Sequence, residues 1–70
     1  MKRKSVSSSV LASIGYDPKS RLLEVEFNHG EIYQYSDVPE KVYKELINAD
    51  SIGKYYSDNV RDDYEFVRLR

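Results

Sequence analysis

The chain has 70 residues, of which 40% are hydrophobic and 33% are charged, with a net charge of −1 and no cysteine. A chain this short forms one domain with a small core and leaves no room for a separate enclosed catalytic cavity. The lack of cysteine excludes disulfides and thiolate metal sites, so reducing cytoplasm is the expected compartment.

The charge is unevenly distributed along the chain. Residues 1–21 carry five bases against one acid, residues 22–65 carry four bases against eleven acids, and the last five residues add two arginines. The body of the domain is therefore acidic and its ends are basic. Because phosphate binding relies on clustered lysine and arginine, any contact with nucleic acid has to come from those ends or from a local patch.

Residues 1–7 are basic and then serine-rich, and are predicted to form a flexible arm before a single domain over residues 8–70. A first strand is predicted from Ser8 to Tyr16. The sequence DPKS then indicates a four-residue type I turn, because Asp favours its first position and Pro its second. With that turn the predicted pairs are Tyr16 with Arg21, Ile14 with Leu23, Ala12 with Val25, and Val10 with Phe27.

The next turn, at residues 28–30, decides which face of the sheet receives Tyr33 and Tyr35. A type I turn with Gly30 in the left-handed conformation gives a three-residue bulged hairpin and places both tyrosines on the core face. A two-residue turn shifts the register by one and moves them to the other face. We prefer the bulged hairpin, because it separates apolar from polar residues more cleanly. It sets Val25 opposite Tyr33 and Leu23 opposite Tyr35, and leaves Ser13, Glu24, Glu26 and Gln34 on the other face, with Leu11 and Ile32 as apolar exceptions.

A helix is predicted over the segment that begins at Asp37. Asp37 and Glu40 are expected to form a capping box, and Pro39 fits the first turn, where its missing N–H has no helical partner. A second short helix is predicted from Ser51, and the β-prone end of the chain is predicted as an edge strand or extended tail. The apolar stripes of the two helices are Val42, Tyr43, Leu46 and Ile47, and Ile52, Tyr55, Tyr56 and Val60.

These elements predict an α+β fold. Its expected form is a three-stranded antiparallel β-meander packed on one face by an α-helix, with a second short helix and an extended C-terminus. No catalytic group is predicted, because the sole histidine, His29, lies at a hairpin tip without a partnered nucleophile or carboxylate. Glycines and acids also lack the spacing of phosphate or calcium loops, so no metal or cofactor is expected.

The segment around Gly53 is a candidate binding surface. Glycine inside a helix costs on the order of 1 kcal/mol relative to Ala, which indicates close packing or a backbone approached by a ligand. Ser51, Lys54, Tyr55 and Arg61 lie near it in the sequence. The plainer interpretation is a helix whose tyrosines pack and whose charges face water.

An ordered set of motifs runs from about residue 8 to the end of the chain. It comprises IGYD at 14–17, LEVEF at 23–27, Gly30, the YxY motif of Tyr33 and Tyr35, VP at 38–39, VY at 42–43, Ala49, Ser51, Gly53, Tyr55, Arg61 and Tyr64. This set resembles the KTSC domain, a module found at the C-terminus of some lysyl-tRNA synthetases and as a stand-alone bacterial protein. The chain departs from the family pattern at Asp62 and Asp63, where bases are common.

The resemblance implies a non-catalytic accessory module that binds RNA, such as tRNA. In that hypothesis the bases contact phosphate and Tyr55 stacks on a nucleobase. The alternative is a protein-interaction module without nucleic acid, which the acidic body favours and which would use a strand edge or the Gly53 surface. Neither hypothesis involves a membrane. The candidate binding residues are Lys2, Arg3, Lys4, Ser51, Gly53, Lys54, Tyr55, Arg61, Arg68 and Arg70, whereas Tyr33 and Tyr35 are expected in the core.

Overall fold

The computed structural model describes residues 1–70 and contains five strands and two helices. The strands form one antiparallel sheet in chain order, and the helices lie between the fourth and fifth strands. The α+β class is confirmed, and the three predicted strands form an antiparallel meander, but the predicted number of strands is wrong, because a further strand pairs at each edge. The elements are β1 (Arg3–Ser5), β2 (Leu11–Asp17), β3 (Leu22–Phe27), β4 (Ile32–Tyr35), α1 (Glu40–Ile47), α2 (Ile52–Asn59) and β5 (Phe66–Arg68).

The first edge strand, β1, lies within the segment predicted as a flexible arm. Arg3–Ser5 pairs with β2, so that prediction is wrong for these three residues. Main-chain pairing needs no apolar side chain. Two of the three β1 residues also lie opposite small residues of β2: Arg3 faces Gly15 and Ser5 faces Ser13. A Cβ on Gly15 would lie 2.7 Å from the carbonyl oxygen of Lys2, so only glycine permits this close approach.

The hairpin β2–β3 differs by two residues from the predicted register. Asp17 pairs with Leu22, so the four-residue loop comprises residues 18–21 and begins one residue later than predicted. Asp17 still organises that loop, because its carboxylate accepts hydrogen bonds from the N–H of Lys19 (3.0 Å) and the hydroxyl of Ser20 (2.8 Å). Arg21 has a φ of 59° and closes the loop by donating its N–H to the Asp17 carbonyl oxygen at 2.8 Å.

A β-bulge near the start of β2 also changes which residues face the core. The register shifts between Leu11 and Ser13, which brings Leu11 onto the core face, where it is fully buried, and leaves Val10 37% exposed. The predicted faces of Leu11 and Val10 are therefore wrong. Ile14 and Tyr16 keep the predicted face, because a shift of two residues preserves the alternation of a strand. The observed pairs are Tyr16 with Leu23, Ile14 with Val25, and Leu11 with Phe27.

The hairpin β3–β4 adopts the bulged three-residue turn. Gly30 has a φ of 103° and donates its N–H to the Phe27 carbonyl oxygen at 2.9 Å. Val25 pairs with Tyr33 and Leu23 pairs with Tyr35, so both tyrosines lie on the core face. Tyr35 is fully buried, and Tyr33 is half-buried and packs against the core.

The predicted capping box of α1 is wrong. The helix begins after Pro39, which makes no side-chain capping bond, and Asp37 has a φ of 58°. The chain is held here by Val38, which is fully buried and donates its N–H to the Arg21 carbonyl oxygen at 3.0 Å.

The helix α2 begins after Ser51, as predicted, and the Ser51 hydroxyl accepts a hydrogen bond from the N–H of Lys54. Both helices cover one face of the sheet, and the other face is uncovered by any helix. Neither helix could span a lipid bilayer. The main core lies between sheet and helices and comprises Leu11, Ile14, Leu23, Val25, Phe27, Tyr35, Val38, Leu46, Tyr56 and Val60.

Candidate functional site

The best candidate for a functional site is a cleft lined by aromatic side chains. It lies between the tip of the β3–β4 hairpin, α2 and β5, and has a volume of about 580 Å³. Two other surface depressions lie along α1 and α2 and are lined mostly by charged and polar side chains. We call this site the aromatic cleft; its apolar lining is Val10, Phe27, Tyr33, Tyr35, Tyr56 and Phe66.

The rings of the aromatic cleft pack on one another. Tyr33 and Phe66 are stacked, with centroids 4.6 Å apart and an interplanar angle of 7°. Phe27 packs edge-on against Tyr33 at 4.9 Å and against Tyr56 at 5.7 Å. These contacts hold Phe66 in place although it is 47% exposed. An exposed ring that is already ordered loses little conformational entropy when a ligand packs on it.

The buried part of the lining carries no charge. The phenol oxygens of Tyr35 and Tyr56 lie 2.6 Å apart and share a hydrogen bond. Burial raises the pKa of Tyr35, and the hydrogen bond to Tyr56 raises it further. Burial also raises the pKa of Tyr56, so both phenols are neutral at physiological pH. The aromatic cleft therefore presents a neutral aromatic lining.

The rim of the aromatic cleft carries charges of both signs. Glu31 accepts a hydrogen bond from Nε2 of His29 at 2.8 Å and forms an ion pair with Arg68 at 2.9 Å. On the other side, Arg61 pairs with Asp62 at 3.4 Å. With acids beside the bases, the rim does not form the clustered positive patch that phosphate binding requires.

Most of the predicted phosphate-binding bases form ion pairs. Arg3 pairs with Glu24, and its Nε also donates to the Ser13 hydroxyl at 2.9 Å. Five of the seven candidate bases have a carboxylate partner, and only Lys2 and Lys4 have none. The remaining pairs are Lys54 with Asp58 (2.8 Å), Arg61 with Asp62 (3.4 Å), Arg68 with Glu31 (2.9 Å) and Arg70 with Glu26 (3.2 Å).

The uncovered face of the sheet is polar and crossed by one continuous network. Ser13 donates to Glu26 at 2.8 Å, and Gln34 donates to Glu24 at 3.3 Å. Arg3 and Arg70 pair with these two glutamates from opposite ends of the chain. This face has no exposed aromatic rings on which bases could stack, in contrast to RNA-binding sheets.

The residues around Gly53 have partners within the domain. A Cβ on Gly53 would lie 3.0 Å from Cγ2 of Val10, so the glycine permits α2 to pack closely on the chain before β2. Tyr55 packs against the core and donates its hydroxyl to Glu45 at 2.7 Å. Burial and this hydrogen bond raise the pKa of Tyr55 to about 12. These contacts agree with the plainer interpretation of the segment as a packed helix.

Of the ten candidate binding residues, only Arg61 lines the aromatic cleft. Tyr33 and Tyr35, expected in the core, line it from the sheet side. Phe66 and His29 also line it, although neither is among the candidate residues predicted from the sequence. The sequence offered only a weak signal for them, because the aromatic cleft exists only once β5 docks beside β4 and brings Phe66 onto Tyr33.

Comparisons with known proteins identify the family. A family model described as the KTSC domain matches residues 7–64. A protein of Stutzerimonas stutzeri is 47% identical over 70 residues, covering 99% of both chains. A lysine–tRNA ligase of Nostoc punctiforme is 33% identical over 61 residues, which are 87% of this chain and 11% of the ligase.

The solved structures include a close match to the whole fold. The crystal structure of a KTSC domain protein from Yersinia pestis superposes with a TM-score of 0.93 and 36% identity, covering 99% of this chain and 97% of that chain. Together with the family model and the ordered motifs, this match shows that the chain belongs to the KTSC domain family.

Proposed function

We propose that this KTSC domain is a non-catalytic binding module that holds a segment of a partner protein in the aromatic cleft. One observation carries the proposal: a neutral, preordered aromatic lining in a cleft of about 580 Å³, with Phe66 47% exposed at its edge. Concave apolar surfaces with a few polar groups at the rim are typical ligand sites. Aromatic side chains also dominate the binding energy of protein interfaces.

The arrangement of charge favours a protein over RNA as the partner. Exposed ion pairs contribute only about 0–1 kcal/mol each, so a phosphate could displace the carboxylate from an arginine. The displaced carboxylate would nevertheless stay beside the phosphate and repel it. Five of the seven candidate bases stand next to such a carboxylate. A phosphate at these bases therefore meets little net positive charge, and its binding is expected to be weak.

RNA is the second candidate partner, and the comparisons favour it. Three lysine–tRNA ligases are 31–34% identical to this chain over 61 residues. Lys2 and Lys4, which are exposed and form no ion pair, would then be the first phosphate contacts.

The test of the protein hypothesis is a selection from a random peptide display library on the immobilised protein. Synthetic copies of the selected peptides are then titrated into ¹⁵N-labelled protein. We expect the amide shifts to cluster at the aromatic cleft, at Tyr33, Ser57 and Phe66. The variant Phe66→Ala should weaken binding by at least about tenfold, the cost of losing an aromatic contact.

Lys41→Ala is the control, because the Lys41 side chain is 82% exposed on α1 and lies outside both the aromatic cleft and β5. It should leave the affinity of the selected peptides nearly unchanged. A selection without binders, or binders whose shifts lie elsewhere, would contradict a peptide site in the aromatic cleft.

The RNA hypothesis is tested by titrating total tRNA and a short single-stranded RNA at two salt concentrations. We expect no shifts even at low salt, where phosphate contacts are strongest. Salt-sensitive shifts at Lys2, Lys4, Lys54 and Arg61 would reverse the order of the two candidates.

A further inference from the structure

We infer that the partner segment binds as an additional antiparallel strand on the free edge of β5, with an aromatic side chain beside Phe66 and a carboxylate two positions away, at Arg68. This inference rests on the proposed function and specifies the chemistry of the partner. Because the added strand runs antiparallel to β5, the occupant is an extended segment that reads acidic, apolar, aromatic from its N-terminus.

The two edges of the sheet differ in how they resist strand pairing. The β1 edge carries consecutive bases, Lys2, Arg3 and Lys4, and charged side chains discourage another strand from pairing. The β5 edge carries the apolar residues Phe66, Val67 and Leu69, which are 47%, 57% and 52% exposed. An exposed apolar edge strand is a template for strand addition, so β5 is the edge that can accept a partner.

The main chain of β5 has hydrogen-bonding groups directed away from the sheet. Ser36 donates its N–H to the Glu65 carbonyl oxygen at 2.9 Å, and Leu69 donates to Ile32 at 2.7 Å, so alternate residues of this segment bond towards β4. In a strand these groups alternate in direction. The N–H and C=O groups of Phe66 and Arg68 therefore point to the free edge, where an added strand would satisfy them.

The side chains of β5 then predict what the added strand carries. Phe66 pairs with Tyr35 and Arg68 pairs with Tyr33, so both lie on the face of the aromatic cleft. Residues opposite them on a new strand lie two positions apart on that same face. An aromatic residue opposite Phe66 would extend the stack formed by Phe66 and Tyr33. The residue between the two lies beside the exposed side chain of Val67, which favours an apolar residue there.

Charge complementarity assigns the residue that lies opposite Arg68. Arg68 is 60% exposed at its side chain and uses Nη2 for Glu31 and Nε for the Arg70 carbonyl oxygen. A guanidinium has five N–H donors, so donors remain for a second carboxylate. Residues 66–70 contain two arginines and no acid. Glu31 precedes β4 and meets Arg68 from the paired side of β5, whereas a partner carboxylate meets the guanidinium from the free edge and shares it with Glu31. Opposite charges across paired strands are stabilising.

The first experiment repeats the display selection with Arg68→Glu in parallel with the unaltered protein. We expect peptides selected on the unaltered protein to be enriched in the pattern acidic, apolar, aromatic, read from the N-terminus. Selection on Arg68→Glu should keep the aromatic residue and replace the acid with a base. Selection of the same acidic residue on both proteins would overturn the assignment of the carboxylate to Arg68.

The second experiment tests the strand itself with N-methylated copies of a selected peptide on the unaltered protein. In antiparallel addition the aromatic and acidic residues direct their N–H groups to β5, and the residue between them directs its N–H away. N-methylation of either outer residue should weaken binding by at least about tenfold, whereas N-methylation of the middle residue should have little effect. Peptides that shift the aromatic cleft yet tolerate methylation everywhere would overturn strand addition and leave the proposed function standing.

A pair of protein variants tests strand addition by changing β5 in place of the peptide. Arg68→Pro removes the outward N–H and places a ring at the free edge, where proline is compatible with a strand. Arg68→Ala, the matched control, removes the same charge and keeps the N–H. We expect Arg68→Pro to bind selected peptides at least about tenfold more weakly than Arg68→Ala. Equal affinity of the two folded variants would overturn strand addition, and if Arg68→Pro does not fold, the N-methylated peptides decide.

Discussion

At the scale of single residues, the phenol pair of Tyr35 and Tyr56 connects the core to the binding site. Both side chains are almost completely buried, and both line the aromatic cleft. Each hydroxyl satisfies the other at 2.6 Å. A buried polar group left without a partner costs more than the net gain from a hydrogen bond, so the two hydroxyls are expected to be energetically coupled.

Replacing one tyrosine of this pair with phenylalanine should therefore leave the other hydroxyl without its partner. Tyr35→Phe alone, or Tyr56→Phe alone, should lower the free energy of unfolding by about 1–3 kcal/mol, because the remaining hydroxyl loses its partner. The double variant should cost less than the sum of the two. Urea denaturation of all four proteins gives the coupling energy, and additive costs would show that water replaces the missing partner.

The same pair predicts a loss of stability at alkaline pH. Burial raises the pKa of Tyr35 and Tyr56 above the value of 10.0 that an unfolded chain has. Above pH 10 the unfolded chain therefore loses protons that the folded protein retains, and the free energy of unfolding falls as the pH rises. Denaturation at pH 8 and pH 11 should show this decrease. The Tyr35→Phe/Tyr56→Phe variant, which keeps the other tyrosines, should show a smaller one.

At the scale of elements, β1 depends on one glycine of its neighbour. Gly15 lies opposite Arg3, and a Cβ there would meet the Lys2 carbonyl oxygen at 2.7 Å. Backbone cannot move aside as a flexible side chain can. The approach of β1 to the sheet is therefore possible only because β2 has no side chain at this position.

Gly15→Ala should consequently detach β1 and leave the rest of the sheet paired. We expect faster amide exchange at β1 and unchanged exchange in the β3–β4 hairpin, measured by NMR. The contact is with Lys2, so in a chain that lacks residues 1–5 the same substitution should have little effect on stability. Equal destabilisation with and without those residues would mean that the alanine acts elsewhere in the sheet.

At the scale of the whole molecule, arginines from both ends of the chain form ion pairs with glutamates on the uncovered face of the sheet. Arg3 pairs with Glu24, whose side chain is only 10% exposed, and Arg70 pairs with Glu26 at 3.2 Å. Ser13 connects the two pairs, since it accepts from Arg3 and donates to Glu26. The basic ends therefore neutralise the acidic body rather than project from it as a flexible arm or tail.

Removing Arg3 should destabilise the protein, because it leaves the largely buried Glu24 carboxylate without its arginine. Arg3→Ala should lower the free energy of unfolding by about 1–3 kcal/mol, because the Glu24 side chain is largely buried and loses its main partner. Arg3→Ala/Glu24→Gln should recover part of this loss. Thermal denaturation of the single and double variants measures both effects. If the double variant recovers no stability, Arg3 stabilises the protein through packing of its aliphatic side-chain atoms and not through its charge.

Part of this architecture follows from the sequence alone. The register of β3 and β4 depends on Gly30 at a positive φ and on the alternation of Val25, Tyr33 and Tyr35, which are local properties. The apolar faces of the helices and the start of α2 at Ser51 are local in the same sense. Because these features involve residues close together in the chain, spacing and turn chemistry were sufficient to predict them.

Other features were decided only by tertiary structure. The bulge that buries Leu11, the pairing of β1 and β5, the ion pairs of the basic residues and the aromatic cleft all join residues distant in sequence. Tyr33 meets Phe66 and Arg3 meets Glu24 only after the sheet has formed. The sequence by itself determined an α+β domain with its central hairpin and helices. Only the packed sheet determined which charges remain free and where an aromatic surface stays open, because both depend on which distant side chains become neighbours.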